Sequence, residues 1–413
     1  MNIKIFKNRE NIYSLLLFLV IFTAVIGYKI NALSIILLTV FYLFDINLLL
    51  KIKRINSKIP FLFFIYFLFY LVGYLYSENK VTAVHEIEVR LSFLVLPLII
   101  FSEKISKEKI NKIFIYFKYW VLSFAVFLII HKLFFVGGPV STISTHSLLF
   151  ITNIHQSYFS LFYIFCLFFV LQQIKNGSIH KISGYFQLSF LLIFITLLGA
   201  RVTTFYALLV CIGFFTVQIL RSKRNSKIIL ISILILSSYL MITKTSFINK
   251  FYRLAKIEWN IEKNIYNHQV FTFDYDDKTS NSLELRLIKW YCAIKIVKEN
   301  ILVGVGSGDY QIKLNEKYEE IDFKKGMVYK YNTHNQFLEE FVKFGIIGGV
   351  FFLFFLMFLF YTAFIKKNKL LTHLLLVMFL FLFIESVFTR QHGVVFFVFL
   401  ISILSIYHDK KSK

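Results

Sequence analysis

The sequence predicts an all-α membrane protein with about twelve transmembrane helices. Hydrophobic residues make up 58% of the 413 residues and aromatic residues 19%, which is more apolar surface than a soluble domain can bury. Apolar runs recur along the whole chain, each long enough for the helix of about 20 residues that crosses a bilayer. Lys and Arg collect in alternate connectors between these runs. A soluble globular enzyme is therefore excluded.

The apolar runs set the order of the predicted helices. The first run follows basic residues as a signal peptide would, but it lacks a small-x-small cleavage site and leads into another apolar run, so we expect it to be retained. The run at 91–102 is short, and its helix is expected to begin within the preceding polar stretch. The predicted spans are 11–27, 32–50, 59–76, 91–102, 113–135, 157–174, 184–200, 202–220, 228–245, 346–365, 370–385 and 394–407.

The basic connectors predict the orientation of the chain, because they all fall on one side. By the positive-inside rule this side is cytoplasmic, and both termini lie on it. The net charge of +23 thus reflects the membrane topology and does not indicate a nucleic-acid-binding surface. The basic connectors are the N-terminal segment, 51–58, 103–112, 175–181, 221–227, 366–369 and the C-terminal tail.

A long polar insertion divides the chain into three parts. Residues 1–245 hold the first nine predicted spans, and 246–333 form a large extracytoplasmic loop. Residues 334–413 hold a helix start on the outer face and the last three spans. This organisation predicts an outer loop large enough to carry part of a site.

Two pieces of the loop have recognisable patterns. The stretch 281–300 has apolar residues at helical spacing, which predicts an amphipathic helix that lies on the membrane surface or packs on the bundle. Asn281 or Ser282 is the expected cap of this helix. The glycine-rich stretch 301–310 lacks the strand context of a nucleotide-binding loop, so its glycines predict close backbone packing.

The stretch YNTHNQFLEEFVKFGIIGG, residues 331–349, joins a polar cluster to an apolar helix. Thr333 and Gln336 have the spacing of a capping box, which predicts a helix that begins at about His334. Gly345 and the glycines after it permit a bend or a tight helix contact. His334 is therefore expected at the outer bilayer surface, near a helix N-terminus where anions are favoured.

Part of this stretch, HNQFLEEFVKFGIIG, resembles the signature H-N/S/Q-x9-G-x-x-G of the O-antigen ligase and polymerase superfamily. His334, Asn335, Gly345 and Gly348 stand at the matching positions. The preceding GVGSGDY resembles the glycine turn of that family. The resemblance covers the topology of the full chain and motifs over roughly 150–397.

Shorter stretches resemble further motifs of the family. LLGARVTTFYALLV (197–210) resembles the short outer loop that presents an arginine, here Arg201, although Ala200 replaces the usual Ser. HQSYFSL resembles the start of the sixth span, although Gln156 replaces the usual Pro after His155. The other matching positions are Arg286 with Trp290 in the loop helix, and Arg390 in the last outer turn, ESVFTRQHGVVFF.

The resemblance implies a GT-C-type membrane glycosyltransferase. Family members transfer a glycan from an undecaprenyl-pyrophosphate carrier to an acceptor hydroxyl on the outer face of the bacterial cytoplasmic membrane. The acceptor is lipid A-core, protein or another glycan. The reaction inverts the anomeric centre and uses no metal or other cofactor. Membrane lipids surround the protein, and nucleic acid is not a partner.

The residue chemistry fits these implied roles. Arg201 and Arg286 are the candidates for binding the pyrophosphate, because arginine stays protonated and holds phosphate through paired hydrogen bonds. His334 is the candidate general base for the acceptor hydroxyl, because a neutral imidazole titrates near physiological pH. The candidates for supporting roles are Asn335, which would orient substrate or cap the helix, His155 and Arg390.

Other functions stay open at this stage. A polymerase of the same superfamily would pass the glycan to another carrier-linked repeat, and a polysaccharide transporter or flippase is the rival from another class. Transport calls for ionisable groups or broken helices near the bilayer midplane, whereas here Arg and His gather on the outer side. Each site residue also has a structural alternative, such as an arginine that anchors to lipid headgroups.

Charged residues in or beside the spans predict specific partners. Asp45 and Glu385 are costly enough in these positions to require one, although the sequence assigns neither a role. Glu339 and Glu340 are expected to pair with Lys343 on one helix face, which would contribute about 0.3 kcal/mol per pair.

Overall fold

The structure is a computed structural model that describes residues 2–45, 47–136, 154–221, 257–269 and 282–407, together with Thr152 and Tyr239. Throughout these ranges the regular elements are helical. In chain order they are α1 (Asn2–Ala24), α2 (Tyr28–Leu43), α3 (Leu48–Lys53), α4 (Ile59–Tyr76), α5 (Lys80–Arg90), α6 (Ser92–Ser102), α7 (Lys107–His131), α8 (Gln156–Asn176), α9 (Lys181–Leu197), α10 (Arg201–Arg221), α11 (Ile261–Gln269), α12 (Ser282–Glu299), α13 (Tyr310–Glu320), α14 (Lys324–Tyr329), α15 (Gln336–Ile365), α16 (Lys369–Leu382) and α17 (Gln391–Ile406).

The apolar helices make this a multi-pass membrane protein. Within the described ranges five segments are long and apolar enough to cross a bilayer, and they lie in α4, α7 with its π-helical extension, α8, α10 and α15. Shorter apolar helices, α2, α9, α16 and α17, accompany them. The predicted all-α membrane fold is confirmed. The predicted span 228–245 lies outside the described residues, so the count of about twelve spans and the three-part division stay predictions.

One end of the bundle gathers the polar segments. α4 ends there at Tyr76, whose hydroxyl donates to the Val303 carbonyl at 2.7 Å, and α15 begins there at Gln336. We call this the loop end. α8 also begins at the loop end, because Tyr158 in its first turn donates to the Ser386 carbonyl after α16 at 3.0 Å.

The opposite end of the bundle holds the partners that Asp45 was expected to need. Asp45 Oδ2 lies 2.6 Å from Arg9 Nη2 and also contacts Lys51 Nζ. Glu103, at the end of α6, contacts the same two cations. The buried carboxylates are thus compensated by a network that ties α1, α3 and α6 together.

A separate helix, α5, precedes the short predicted span at 91–102. α5 and α6 are separated at Leu91, so the polar stretch forms a distinct element and does not extend the span. Asn79 caps α5, since its Oδ1 accepts a hydrogen bond from Thr82 N at 3.0 Å. α5 thereby brings its charged residues against the first turns of α15.

The amphipathic helix predicted at 281–300 is confirmed as α12. It packs on α15, which is one of the two expected arrangements. Its apolar face forms a small second core with the two short helices that follow. Asn281 lies outside the described residues, so the predicted cap of α12 stays a prediction. The core residues are Ile288, Cys292, Ala293, Ile296, Tyr310, Leu314, Tyr318, Phe323 and Val342.

The glycine turn after α12 packs directly on the backbone of α15, as predicted. Val305 N and Gly306 N donate to the Val342 and Lys343 carbonyls, both at 2.9 Å. Gly304 has a φ of 68°, and a Cβ there would lie 2.5 Å from Val342 O. Gly345 has a φ of 61° and kinks α15 where the turn meets it, so the predicted bend is also confirmed.

Candidate functional site

His334 lies in the segment just before α15, in a strained backbone conformation. Its φ of 47° falls in the left-handed region, which side chains other than Gly, Asn and Asp rarely adopt. Asn332 Oδ1 accepts the hydrogen bond of its backbone N–H at 3.1 Å. The strain fixes the direction of the imidazole side chain, and strained residues of this kind concentrate at functional sites.

The helix start differs from the predicted capping box. Asn335, and not Thr333, is the N-cap, because its Oδ1 accepts from Leu338 N at 3.1 Å. Thr333 Oγ1 donates to the Asn335 carbonyl at 3.0 Å, and Gln336 turns inward. The helix therefore begins at Gln336, two residues later than predicted. Of the two roles considered for Asn335, the structure shows the capping role.

Glu385 joins two of the predicted site residues. His334 Nδ1 lies 3.0 Å from Glu385 Oε2, and Arg286 Nη2 lies 3.4 Å from Glu385 Oε1. Arg286 Nε also donates to the Ile384 carbonyl at 3.2 Å. The sequence distances between these residues are large, but packing of α12 and α15 against the turn after α16 brings them together. The carboxylate that sequence reasoning left without a role is thus the centre of the cluster.

This arrangement determines the state of the imidazole. A carboxylate accepts hydrogen bonds, so Nδ1 carries the proton and Nε2 presents its lone pair. The pKa of His334 is lowered, because the effect of burial is larger than that of the hydrogen bond to Glu385, which acts to raise it. Burial alone would raise the pKa of Glu385, but the hydrogen bond from His334 and the charge of Arg286 leave it below its usual value. The pair is therefore a neutral imidazole on an ionised carboxylate.

The turn that carries Glu385 is fixed from three sides. Phe388 N donates to Gln336 Oε1 at 2.8 Å, and the Ser386 carbonyl accepts from Tyr158 on α8. Ser386 Oγ lies 3.3 Å from Thr333 Oγ1 in the segment that carries His334. Because each contact comes from a different part of the chain, the carboxylate is held rigidly in relation to the imidazole.

Behind the site lies a buried ion network that was predicted only in part. Lys343 Nζ contacts Glu339 Oε1 at 2.6 Å, as expected from their spacing, but it also contacts Glu86. Arg90 completes the network with Glu86 at 3.0 Å and Glu339 at 3.7 Å. Glu339 and Lys343 are both 0% exposed, so their pair is buried and not of the exposed kind for which a contribution of about 0.3 kcal/mol holds.

Glu340 does not join that ion network, contrary to expectation. Its Oε1 accepts from Tyr66 Oη at 2.5 Å, from Tyr70 Oη at 3.1 Å and from Gln336 Nε2 at 2.7 Å. Gln336 in turn holds the Glu385 turn through Phe388. The side chain of Glu340 thus supports the site indirectly, through Gln336.

The supporting candidates lie at the same end of the bundle. His155 caps α8. Burial is the main cause of its lowered pKa; the charge of Glu385 raises this pKa and the charge of Arg390 lowers it. His155 therefore lies within the electrostatic reach of Glu385 and of Arg390. Arg201 begins α10, whose Thr203 hydroxyl lies 2.9 Å from Ser160 Oγ on α8. Arg201 is thereby placed at the loop end, and its role stays a prediction.

An apolar groove of about 850 Å³ opens beside Arg390. It is bordered by α2, α5, α6 and the start of α17, and its lining combines aliphatic side chains such as Ile35 and Val95 with polar ones such as Glu88. In the described part of the chain, no group of three or more His, Cys, Asp and Glu side chains has the arrangement of a metal site. The site therefore combines an arginine with one imidazole–carboxylate pair, and the groove at Arg390 begins a few residues along the chain from Glu385.

Comparison with known proteins identifies the segment that carries most of this site. A search of curated proteins found no similar sequence. Residues 187–353 match the family model described as O-antigen ligase. The matched segment includes Arg201, Arg286, the glycine turn and His334, and it ends inside α15. This segment of the chain is therefore similar to the O-antigen ligase family.

Proposed function

We propose that this protein transfers a glycan from an undecaprenyl-pyrophosphate carrier to an acceptor hydroxyl at the outer face of the bacterial cytoplasmic membrane. The observation that carries the proposal is the His334–Glu385 pair with Arg286 on the second carboxylate oxygen. This is the arrangement of a general base with its orienting carboxylate beside a fixed cation. It lies at the start of an apolar helix, where a lipid-linked donor and an acceptor hydroxyl would meet.

In the proposed reaction Nε2 of His334 takes the proton of the acceptor hydroxyl. The acceptor oxygen forms a bond to the anomeric carbon, and the bond from that carbon to the pyrophosphate oxygen breaks with its electron pair on the leaving group. Glu385 stabilises the imidazolium that forms on His334. Arg286 and Arg201 stabilise the charge that develops on the pyrophosphate. Attack opposite the leaving group inverts the anomeric centre.

The lipid part of the donor also has a suitable surface. A polyprenyl chain is apolar, and the groove beside Arg390 is open, with aliphatic side chains of α2 and α6 in its lining. We infer that this groove receives the chain while the pyrophosphate reaches the cations. The orientation of the site toward the outer face follows from the basic connectors.

The test is a transfer assay with purified protein. Carrier-linked glycan is supplied with lipid A-core, a protein acceptor or a second carrier-linked glycan, and the product is identified by mass spectrometry. Glycan on core lipid or protein establishes a ligase, and a longer carrier-linked chain establishes the polymerase alternative. Movement of intact carrier-linked glycan across a vesicle membrane, with no new glycosidic bond, would support the transporter and contradict the proposal.

Arg201→Lys is expected to reduce transfer at least tenfold although the charge is kept. Lysine cannot hold a phosphate through two parallel hydrogen bonds, and one charge-assisted hydrogen bond contributes about 1.5–3 kcal/mol. The initial rate at saturating acceptor measures the effect. Lys181→Arg, the reverse exchange at the start of α9 on the opposite end, is the control. Equal rates for Arg201→Lys and the unmodified protein would remove Arg201 from phosphate binding.

Glu385→Gln is expected to lower the rate about a hundredfold or more, since the imidazolium loses its counter-charge. It also shifts the pH profile. Glu385 raises the pKa of His334, and the base works when deprotonated, so without the carboxylate the acidic limb of the profile moves to lower pH. Glu299→Gln, which removes an exposed carboxylate from α12, is the control. An unmoved acidic limb in Glu385→Gln would contradict the assigned pair.

A further inference from the structure

One buried cation beside His334 has no part in the mechanism so far. Lys289 lies one helical turn after Arg286 on α12 and is only 4% exposed. Among the described residues its amine has one contact, with the face of the Tyr331 ring at 4.2 Å. No carboxylate or carbonyl in those ranges accepts a hydrogen bond from it. A buried lysine normally has such a partner, because burial of an unpaired ammonium is costly.

The charged groups around Lys289 indicate which kind of ligand would pair with its amine. The charged and titratable groups that act on its amine are Arg286 from α12, Glu385 from the turn after α16, and His334 from the segment before α15. The only carboxylate among them already contacts Arg286 and His334. Among the described residues that act on the Lys289 amine, cationic groups outnumber carboxylates. An anion with several oxygens, placed between Arg286 and Lys289, would balance the excess positive charge.

We propose that Lys289 is a further binding residue for the donor, with an amine that donates a hydrogen bond to a pyrophosphate oxygen next to the one held by Arg286. This inference rests on the proposed function. The Tyr331 ring supports the amine from one side through a cation–π contact, which directs its N–H groups toward the site. Lys289 thus adds a second cation from α12 to the leaving-group side of the reaction.

The protonation state of Lys289 supports this role and gives it a measurable signature. Burial, and then the charge of Arg286, lower the pKa of Lys289 to about 7. At pH 8 its amine is mainly neutral in the empty site, and a bound pyrophosphate raises its pKa, so binding takes up about one proton. Because the protonated form binds better, affinity is highest below pH 7 and falls as pH rises above it.

The experiment measures binding of undecaprenyl pyrophosphate in detergent by calorimetry at pH 8, in buffers with different ionisation enthalpies. Lys289→Met is expected to weaken binding about 10- to 100-fold, the effect of one hydrogen bond to a charged group. It should also lose the proton uptake and the fall in affinity between pH 7 and 9. Lys295→Met is the matched control, because Lys295 lies on α12 over the Tyr291 ring at 4.7 Å.

Two further arms make the outcome decisive. Lys289→Arg keeps the cation but does not titrate in this range, so it should bind at pH 8 without proton uptake. Undecaprenol, which has the same chain without the pyrophosphate, should bind weakly to every variant. Unchanged affinity and proton uptake in Lys289→Met would overturn the role of Lys289 and leave the proposed donor intact. Failure of the unmodified protein to prefer the pyrophosphate over undecaprenol would overturn both.

Discussion

His334→Ala is expected to lower glycan transfer by about 10²–10⁴-fold, the contribution that a positioned general base makes. The variant removes the Nε2 lone pair that accepts the acceptor proton and leaves Glu385 paired with Arg286. Transfer is measured with carrier-linked glycan and the acceptor identified for the unmodified protein. His180→Ala is the matched control, because this exposed histidine precedes α9 at the opposite end of the bundle.

A double variant separates the base from its carboxylate. If Glu385 acts through His334, then Glu385→Gln combined with His334→Ala should be no slower than His334→Ala alone, since residues that act as a unit do not add. Folding of each variant is checked by size-exclusion chromatography and thermal unfolding. Full activity in a well-folded His334→Ala variant would remove the imidazole from the reaction.

Lys343→Met is expected to destabilise the protein by about 3–5 kcal/mol, the usual cost of breaking a buried ion pair from one side. The variant leaves Glu339 and Glu86 with Arg90 as their remaining cation in this network. The change is measured as a lower midpoint of thermal unfolding in detergent. Lys313→Met is the matched control, because Lys313 forms an exposed pair with Glu316, 45% and 48% exposed, which contributes at most about 1 kcal/mol.

Removal of the partner charge tests the cause of this effect. Glu339→Gln in the Lys343→Met background replaces the uncompensated carboxylate by a neutral amide, so part of the lost stability should return. If Lys343→Met and Lys313→Met lowered the midpoint equally, the network would not be the buried structure described here. The transfer activity of Lys343→Met below its unfolding temperature also reports on the site, because α15 carries both Lys343 and the cap next to His334.

Local features of the fold could be predicted from the sequence, and contacts between distant segments could not. The apolar runs predicted helices such as α8 and α15, and the spacing at 281–300 predicted α12, because both depend on neighbouring residues. The bend at Gly345 was predictable for the same reason. The predicted N-cap of α15, Thr333, lies two residues before the observed one, Asn335. Both residue types are good caps, and the choice between them depends on the contact of Thr333 with Ser386.

In the candidate site, too, single residues could be predicted from local motifs, whereas the contacts between distant segments could not. The family signature predicted His334, and the loop-helix motif predicted Arg286, but neither indicated that Glu385 joins them. The one signal in the sequence was the cost of an acidic residue at the end of an apolar span, which indicates a partner without naming it. The pairing of Glu339 with Lys343 was predicted from spacing, whereas its burial depends on α5, which packs against it from far along the chain.

The imidazole and its carboxylate are both anchored to the membrane bundle, through α15 and through the turn between α16 and α17. Arg286 and Lys289, in contrast, lie on α12, a helix of the long polar insertion that contacts the bundle through the glycine turn and its own apolar face. In the proposed mechanism the bundle thus holds the base, and the insertion supplies two of the cations for the pyrophosphate. Exchange of this insertion between relatives should therefore change how tightly the pyrophosphate is held while the acid–base pair persists.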